Sequence, residues 1–158
     1  MMSARSHVSE AEKSLERLFR LGANRKMYAR QAAAVGAVVA RPGYALLRSI
    51  DEAGEISMGD LARECSMDPA ATGRQVRSLE NDGIVQRVSG SADGRVVVVR
   101  LTEEGRAVYA RIVEVRTSHL AKVLEGWPDD ERIELIRLVD RLVDDLRSVP
   151  FKPSPHRR

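Results

Sequence analysis

Apolar positions near the start of the chain recur at Val8, Ala11, Leu15, Leu18 and Phe19. That spacing predicts a long amphipathic helix running to about Ala34. The seven residues before it are polar and read as a frayed end. The period is lost over Ala32 to Ala40, and Pro42-Gly43 punctuates the chain before a helix through Tyr44, Leu46, Leu47 and Ile50 to Ala53, with Gly54 placed to end it. The pattern then tightens. Ser57, with Asp60 three residues on, has the chemistry to cap a short helix whose inner face holds Leu61, Ala62 and Cys65. Asp68-Pro69 opens another, to about Asn81, because a cap acceptor precedes a proline at the first helical position. Thr72, Val76 and Leu79 fall on its inner side, which turns Ala70, Arg74, Arg77 and Ser78 outward and leaves Gln75 on the flank.

Gly83 is placed to stop that helix, and the β-branched runs Ile84 to Val88 and Val96 to Leu101 predict two strands around a turn-rich Ser89 to Gly94. Thr102-Glu103-Glu104 starts a helix with the stripe Val108, Ile112, Val115, His119 and Val123. After Gly126-Trp127-Pro128, the acids Asp129, Asp130 and Glu131 open a last helix. Its wide apolar face holds Ile133, Ile136, Leu138, Val139, Leu142, Val143 and Leu146, and Pro150, Pro153 and Pro155 end structure. The whole predicts one domain over 1–158, mainly α with a small β-hairpin wing (α+β). A winged helix-turn-helix occupies 42–101, with helical regions at 8–40 and 102–148.

Composition narrows the class. The chain has 43% apolar and 31% charged residues, as in soluble globular proteins. The longest apolar run, Ala32 to Ala40, is far shorter than a bilayer span, and no signal-peptide pattern opens the sequence, so a cytoplasmic protein without a membrane partner is expected. One cysteine, Cys65, excludes an internal disulfide and a multi-thiolate zinc site. His7, His119 and His156 lack ligand spacing, and no phosphate loop, nucleophile elbow or acid/base pair is present, so neither an enzyme nor a cofactor is expected. The net charge of +3 says little, but its distribution says more: residues 1–50 carry nine basic and three acidic groups, while 57–100 balance six against six.

Within that balanced block the arginines sit where a groove reader needs them. Arg74 and Arg77, three residues apart, share a helix face and suit bidentate contacts to guanine in a major groove, and Gln75 has the chemistry for adenine. Small Ala70, Ala71 and Gly73 permit close approach, and Ser78 lies on the same outward side. Asp68 is first a cap and second an acceptor for cytosine N4. At the hairpin tip Arg95 would reach a flanking minor groove, with Asp93 organising the tip. These residues predict sequence-specific binding to double-stranded DNA.

Over roughly residues 8 to 148 the sequence resembles the MarR (multiple-antibiotic-resistance regulator) family. The resemblance is carried by Asp60-Leu61-Ala62, by Leu79-Glu80-Asn81-Asp82-Gly83-Ile84-Val85-Gln86-Arg87, and by Asp93-Gly94-Arg95 followed by Leu101-Thr102-Glu103-Glu104-Gly105. It implies a transcriptional regulator, a homodimeric repressor that reads a pseudo-palindromic operator and is released by a small aromatic or phenolic effector. It also implies N- and C-terminal dimerisation helices, consistent with the apolar Val8, Ala11, Leu15, Leu18, Leu135, Leu138, Leu142 and Leu146. Two other readings differ in class: a redox-responsive regulator acting through Cys65, and a winged-helix module that docks a protein through Arg74 and Arg77. Cys65 on the inner face favours packing over sensing, His119 favours an interface role, and Tyr44 and Trp127 favour packing over an effector pocket.

Overall fold

The computed structural model describes residues 4–23, 29, 33, 41–90 and 96–150, and the chain divides into two compact units, 1–116 and 117–158. In the first unit, α1 (Ala4–Gly22) starts four residues earlier than the period suggested. Ala4 to His7, expected to fray, are helical, since nothing in Arg5-Ser6-His7 breaks the backbone pattern. The expected continuation of this helix toward Ala34 lies outside the described residues except at 29 and 33.

Next comes α2 (Arg41–Ala53), which also begins early. Pro42 and Gly43 lie inside its first turn, where the missing proline N–H has no intrahelical acceptor to lose. Its Leu46, Leu47 and Ile50 are fully buried and supply one wall of the core. Gly54 follows with φ +73°, the left-handed backbone expected of a helix stop.

Three helical and strand elements then follow in quick succession. β1 (Ile56–Ser57) was not foreseen, because two residues show no alternation. Ser57 closes this strand and also caps α3 (Met58–Glu64), its Oγ accepting from the Asp60 amide at 3.1 Å. α4 (Pro69–Asn81) starts on the Asp68 cap and buries Thr72, Val76 and Leu79. Thr72 is the one buried polar side chain among the described residues, and its hydroxyl donates to the Asp68 carbonyl at 3.0 Å. α4 stops in a paired arrangement: the Gly83 amide donates to Glu80 O at 3.0 Å and the Ile84 amide to Leu79 O at 2.8 Å. This Schellman geometry needs left-handed backbone at Gly83, which has φ +73°.

The strands β2 (Val85–Ser89) and β3 (Val97–Leu101) are antiparallel, from Val85 opposite Leu101 to Ser89 opposite Val97. Each is one residue shorter at its start than expected, Ile84 being used to end α4. β1 adds to the far side of β3, with Ile56 opposite Val99, so the sheet has three strands in the order β1-β3-β2 rather than a bare hairpin. Gly90 N–H donates to Val96 O at 2.7 Å and closes the ladder below the tip. α5 (Glu103–Val123) leaves β3 at once and buries Val108 and Ile112 against the same core, while Val115 is half-buried.

In the second unit, the far end of α5 is exposed, including the His119 and Val123 that were expected to continue its stripe. α6 (Asp129–Ser148) follows and buries no residue fully. The turn between them is tied by Arg132, whose guanidinium donates to Leu124 O and Glu125 O, each at 3.2 Å, and to Asp129 Oδ1 at 3.1 Å. Among the described residues no helix is long and apolar enough to cross a membrane.

Candidate nucleic-acid interface

The candidate reading element is α4, and its placement follows from its two ends. Asp68 Oδ1 accepts from the Ala71 amide at 3.0 Å, with Pro69 at the first position, so the helix start is fixed by sequence chemistry. The apolar side of α4 is sunk between α2, α3 and β2. Ala70, Arg74, Arg77 and Ser78 are therefore exposed, and Gln75 is half-buried on the flank, as the periodicity required.

The electrostatic character of this face comes from which cations are left uncommitted. Elsewhere in the first unit several arginines are paired: Arg48 with Glu52 at 2.8 Å, Arg63 with Asp60 at 2.7 Å, Arg87 with Glu80 at 3.6 Å. Arg106 donates instead to the Leu101 carbonyl at 3.2 Å. Neither Arg74 nor Arg77 has a carboxylate partner among the described residues. Two guanidinium groups are thus held side by side on one exposed helix face, with their hydrogen-bonding capacity unspent.

The Arg87–Glu80 pair links the base of the wing to the end of α4. Asp93 and Arg95, the expected organiser and minor-groove contact, lie outside the described residues. On the other side, the turn from α3 to α4 is short and carries an unforeseen feature. Ser66 has φ +50°, with its amide donating to Arg63 O at 3.1 Å and the Met67 amide to Ala62 O at 2.9 Å. A serine thus occupies the left-handed position of a Schellman stop, which sequence chemistry assigns to glycine or asparagine.

The remaining candidates divide. Cys65 is half-buried against the core with Sγ 3.4 Å from Ser49 Oγ, a packed thiol rather than an exposed one. Tyr44 is also half-buried against the core. The Arg116 guanidinium lies 4.1 Å from its ring centroid, and the Tyr109 ring is 6.1 Å away. Burial raises the Tyr109 phenol above its ordinary range. The sequence reading missed Arg116, although its spacing of seven from Tyr109 places the two on one side of α5. Trp127 is exposed and lines an open groove of about 360 Å³ with Leu135, Leu138 and the acids Asp130, Glu131 and Glu134.

Of the residues expected at a shared interface, Val8, Ala11, Leu18, Leu138 and Leu146 are exposed and Leu15, Leu135 and Leu142 are half-buried.

The model of the MarR family matches residues 40–97, which span the helix-turn-helix and most of the wing. An HTH-type transcriptional repressor from Mycobacterium tuberculosis is 30% identical over 104 residues, 66% of this chain and 75% of that protein. The chain spans 63% of the length of another curated relative, an HTH-type regulator from Bacillus subtilis. Among solved structures, a MarR family protein from Bacillus stearothermophilus is 26% identical with a TM-score of 0.74, covering 93% of this chain and 99% of that one. A mutant MarR from E. coli, solved with operator DNA, is 25% identical with a TM-score of 0.63, covering 82% and 93%. These relatives are transcriptional regulators and not enzymes.

Proposed function

Because the chain belongs to the MarR family of transcriptional regulators, we propose that it is a homodimeric repressor whose α4 reads double-stranded DNA and whose operator affinity falls when a small aromatic or phenolic effector binds. The observation that carries this reading is the pair Arg74 and Arg77, exposed on α4 and without a carboxylate partner among the described residues. Several other arginines of the first unit are held by carboxylates, whereas these two adjacent guanidinium groups on an exposed helix face are available to phosphates and base edges. In this reading Gln75 contacts base edges from the flank and Ser78 from the outward face, Ala70 packs against them, and Asp68 acts as cap and cytosine acceptor. Asp93 and Arg95 serve the wing.

Two copies would present two such helices to successive major grooves, about 34 Å apart, so the operator is a pseudo-palindrome. The module of 42–101 reads, and the helical regions of 8–40 and 102–148 hold the two copies at that distance. Effector release then acts on their separation, as a shift between two states that bind DNA differently. The solved complex of a related MarR with operator DNA supports the first step for a protein of this fold.

Selection from a randomised duplex pool tests the reading. An enriched palindrome is expected, bound with an affinity that falls steeply as salt rises, and Arg74→Ala should relax preference at particular bases. A pool that returns no enriched sequence removes the proposal.

A further inference from the structure

Glycine disfavours a helix interior relative to alanine, because it brings the most backbone freedom to be lost on folding. A helical glycine therefore calls for a reason. Gly105 has one inside the chain, since a Cβ there would meet the Ile84 carbonyl oxygen at 1.9 Å. Gly73 has none. It lies in the middle of α4, its φ is not positive, and a Cβ built on it would meet nothing within 4 Å. The chain's own packing leaves that volume open, on a helix face flanked by exposed Ala70 and Arg77 at helical spacing and by exposed Arg74 next in sequence.

We infer that Gly73 is the clearance position of the reading helix. Duplex DNA approaches the α4 backbone there to van der Waals distance, in the volume an alanine methyl would fill. That approach sets how deeply Arg74 and Arg77 enter the groove. The inference rests on the DNA-reading function proposed above and adds to it the point of closest contact. The physical basis is that guanidinium contacts to base edges are short and directional, so a helix held away by one methyl group loses their geometry even though both arginines remain.

The test uses the full chain and, as probe, the duplex that the unaltered protein enriches from a randomised pool. Gly73→Ala and Arg74→Ala are compared by fluorescence anisotropy at fixed salt and by thermal melting. Gly73→Ala is expected to melt no lower than the parent, and about 2–4 °C higher if the full helix gain is realised. It should bind the enriched duplex about tenfold more weakly, a loss comparable to one base contact. Unchanged or tighter binding by Gly73→Ala, with Arg74→Ala still weakened, overturns the clearance role and leaves base reading standing. Loss of affinity together with a lower melting temperature also overturns it, because the glycine would then serve the fold. If neither variant loses affinity, base reading by α4 fails, and the clearance role with it.

Discussion

The backbone of Gly105 lies so close to the carbonyl of Ile84 that a Cβ on the glycine would stand 1.9 Å from that oxygen. Thr102 joins the same corner: its hydroxyl donates to Gly83 O at 2.6 Å and accepts from the Gly105 amide at 2.9 Å, while its amide donates to Ile84 O at 3.0 Å. The end of α4, the start of β2 and the first turn of α5 are therefore fixed to one another by close backbone approach and by the Thr102 hydroxyl. Thr102 and Gly105 bear on the proposed site without being part of it, because they set where α4 ends relative to the wing.

Gly105→Ala should be strongly destabilising. The neighbour in the way is backbone, which cannot swing aside as a flexible side chain can, so the cost of overpacking is expected at about 2–3 kcal/mol. Urea denaturation checks it through a lower midpoint with an unchanged slope. Gly59→Ala is the control, since a Cβ there meets nothing within 4 Å. Equal midpoints for the two variants would mean that the close approach is not made.

Ser66→Gly should have the opposite sign. Left-handed backbone costs a residue with a Cβ roughly 1–2 kcal/mol, partly offset by the greater freedom of glycine in the unfolded chain. With φ +50° at Ser66, a net gain of about 0.5–1 kcal/mol is expected. Thermal melting of the variant would refute the strain if it came out below the parent.

Asp60 supplies a pH dependence. The hydrogen bond from the Ser57 hydroxyl, at 2.6 Å, and then the Arg63 guanidinium, at 2.7 Å, hold its carboxyl below the ordinary 3.8. A carboxyl lowered in the folded state stabilises the fold above its unfolded value, and that contribution disappears as pH falls through the folded value. The window is thus on the acid side of 3.8, and neutral pH is unaffected. Carbon-detected NMR should show Asp60 titrating below 3.8 in the parent and closer to it in Ser57→Ala. Identical midpoints in the two proteins would assign the shift elsewhere.

Much of this architecture was legible in the residues because local chemistry and tertiary packing agree. Asp68-Pro69 fixed the start of α4, Gly83 its end, and the period of Thr72, Val76 and Leu79 its outward face. What was missed depends on partners distant in sequence. β1 is a strand only because β3 lies beside it, and Ser66 is left-handed only because the turn must return Met67 to the core. Pro42 misled for a different reason. Read as punctuation, it lies within the first turn of α2, where proline is tolerated. The uncommitted state of Arg74 and Arg77 was also invisible, since pairing elsewhere depends on which acids the fold brings near.

The last prediction concerns the proposed second copy. α6 has no fully buried residue, and Ile133, Ile136, Leu138 and Leu146 are each between 48% and 66% exposed. A helix with this much uncovered apolar surface is explained if another chain covers it. Each leucine buried at such an interface contributes about 1.5–3 kcal/mol. Two copies of the interface mean that Leu138→Asp with Leu146→Asp removes four side chains from it, so the pair should sediment as a monomer at micromolar concentration while the parent sediments as a dimer. Circular dichroism should retain the helical signal, because neither side chain is buried within its own chain. Affinity for a full palindrome should fall toward that for a half-site, since the two reading helices no longer arrive together. A double variant that remains dimeric would place the shared surface elsewhere, and a monomeric parent would remove the two-helix reading of the operator.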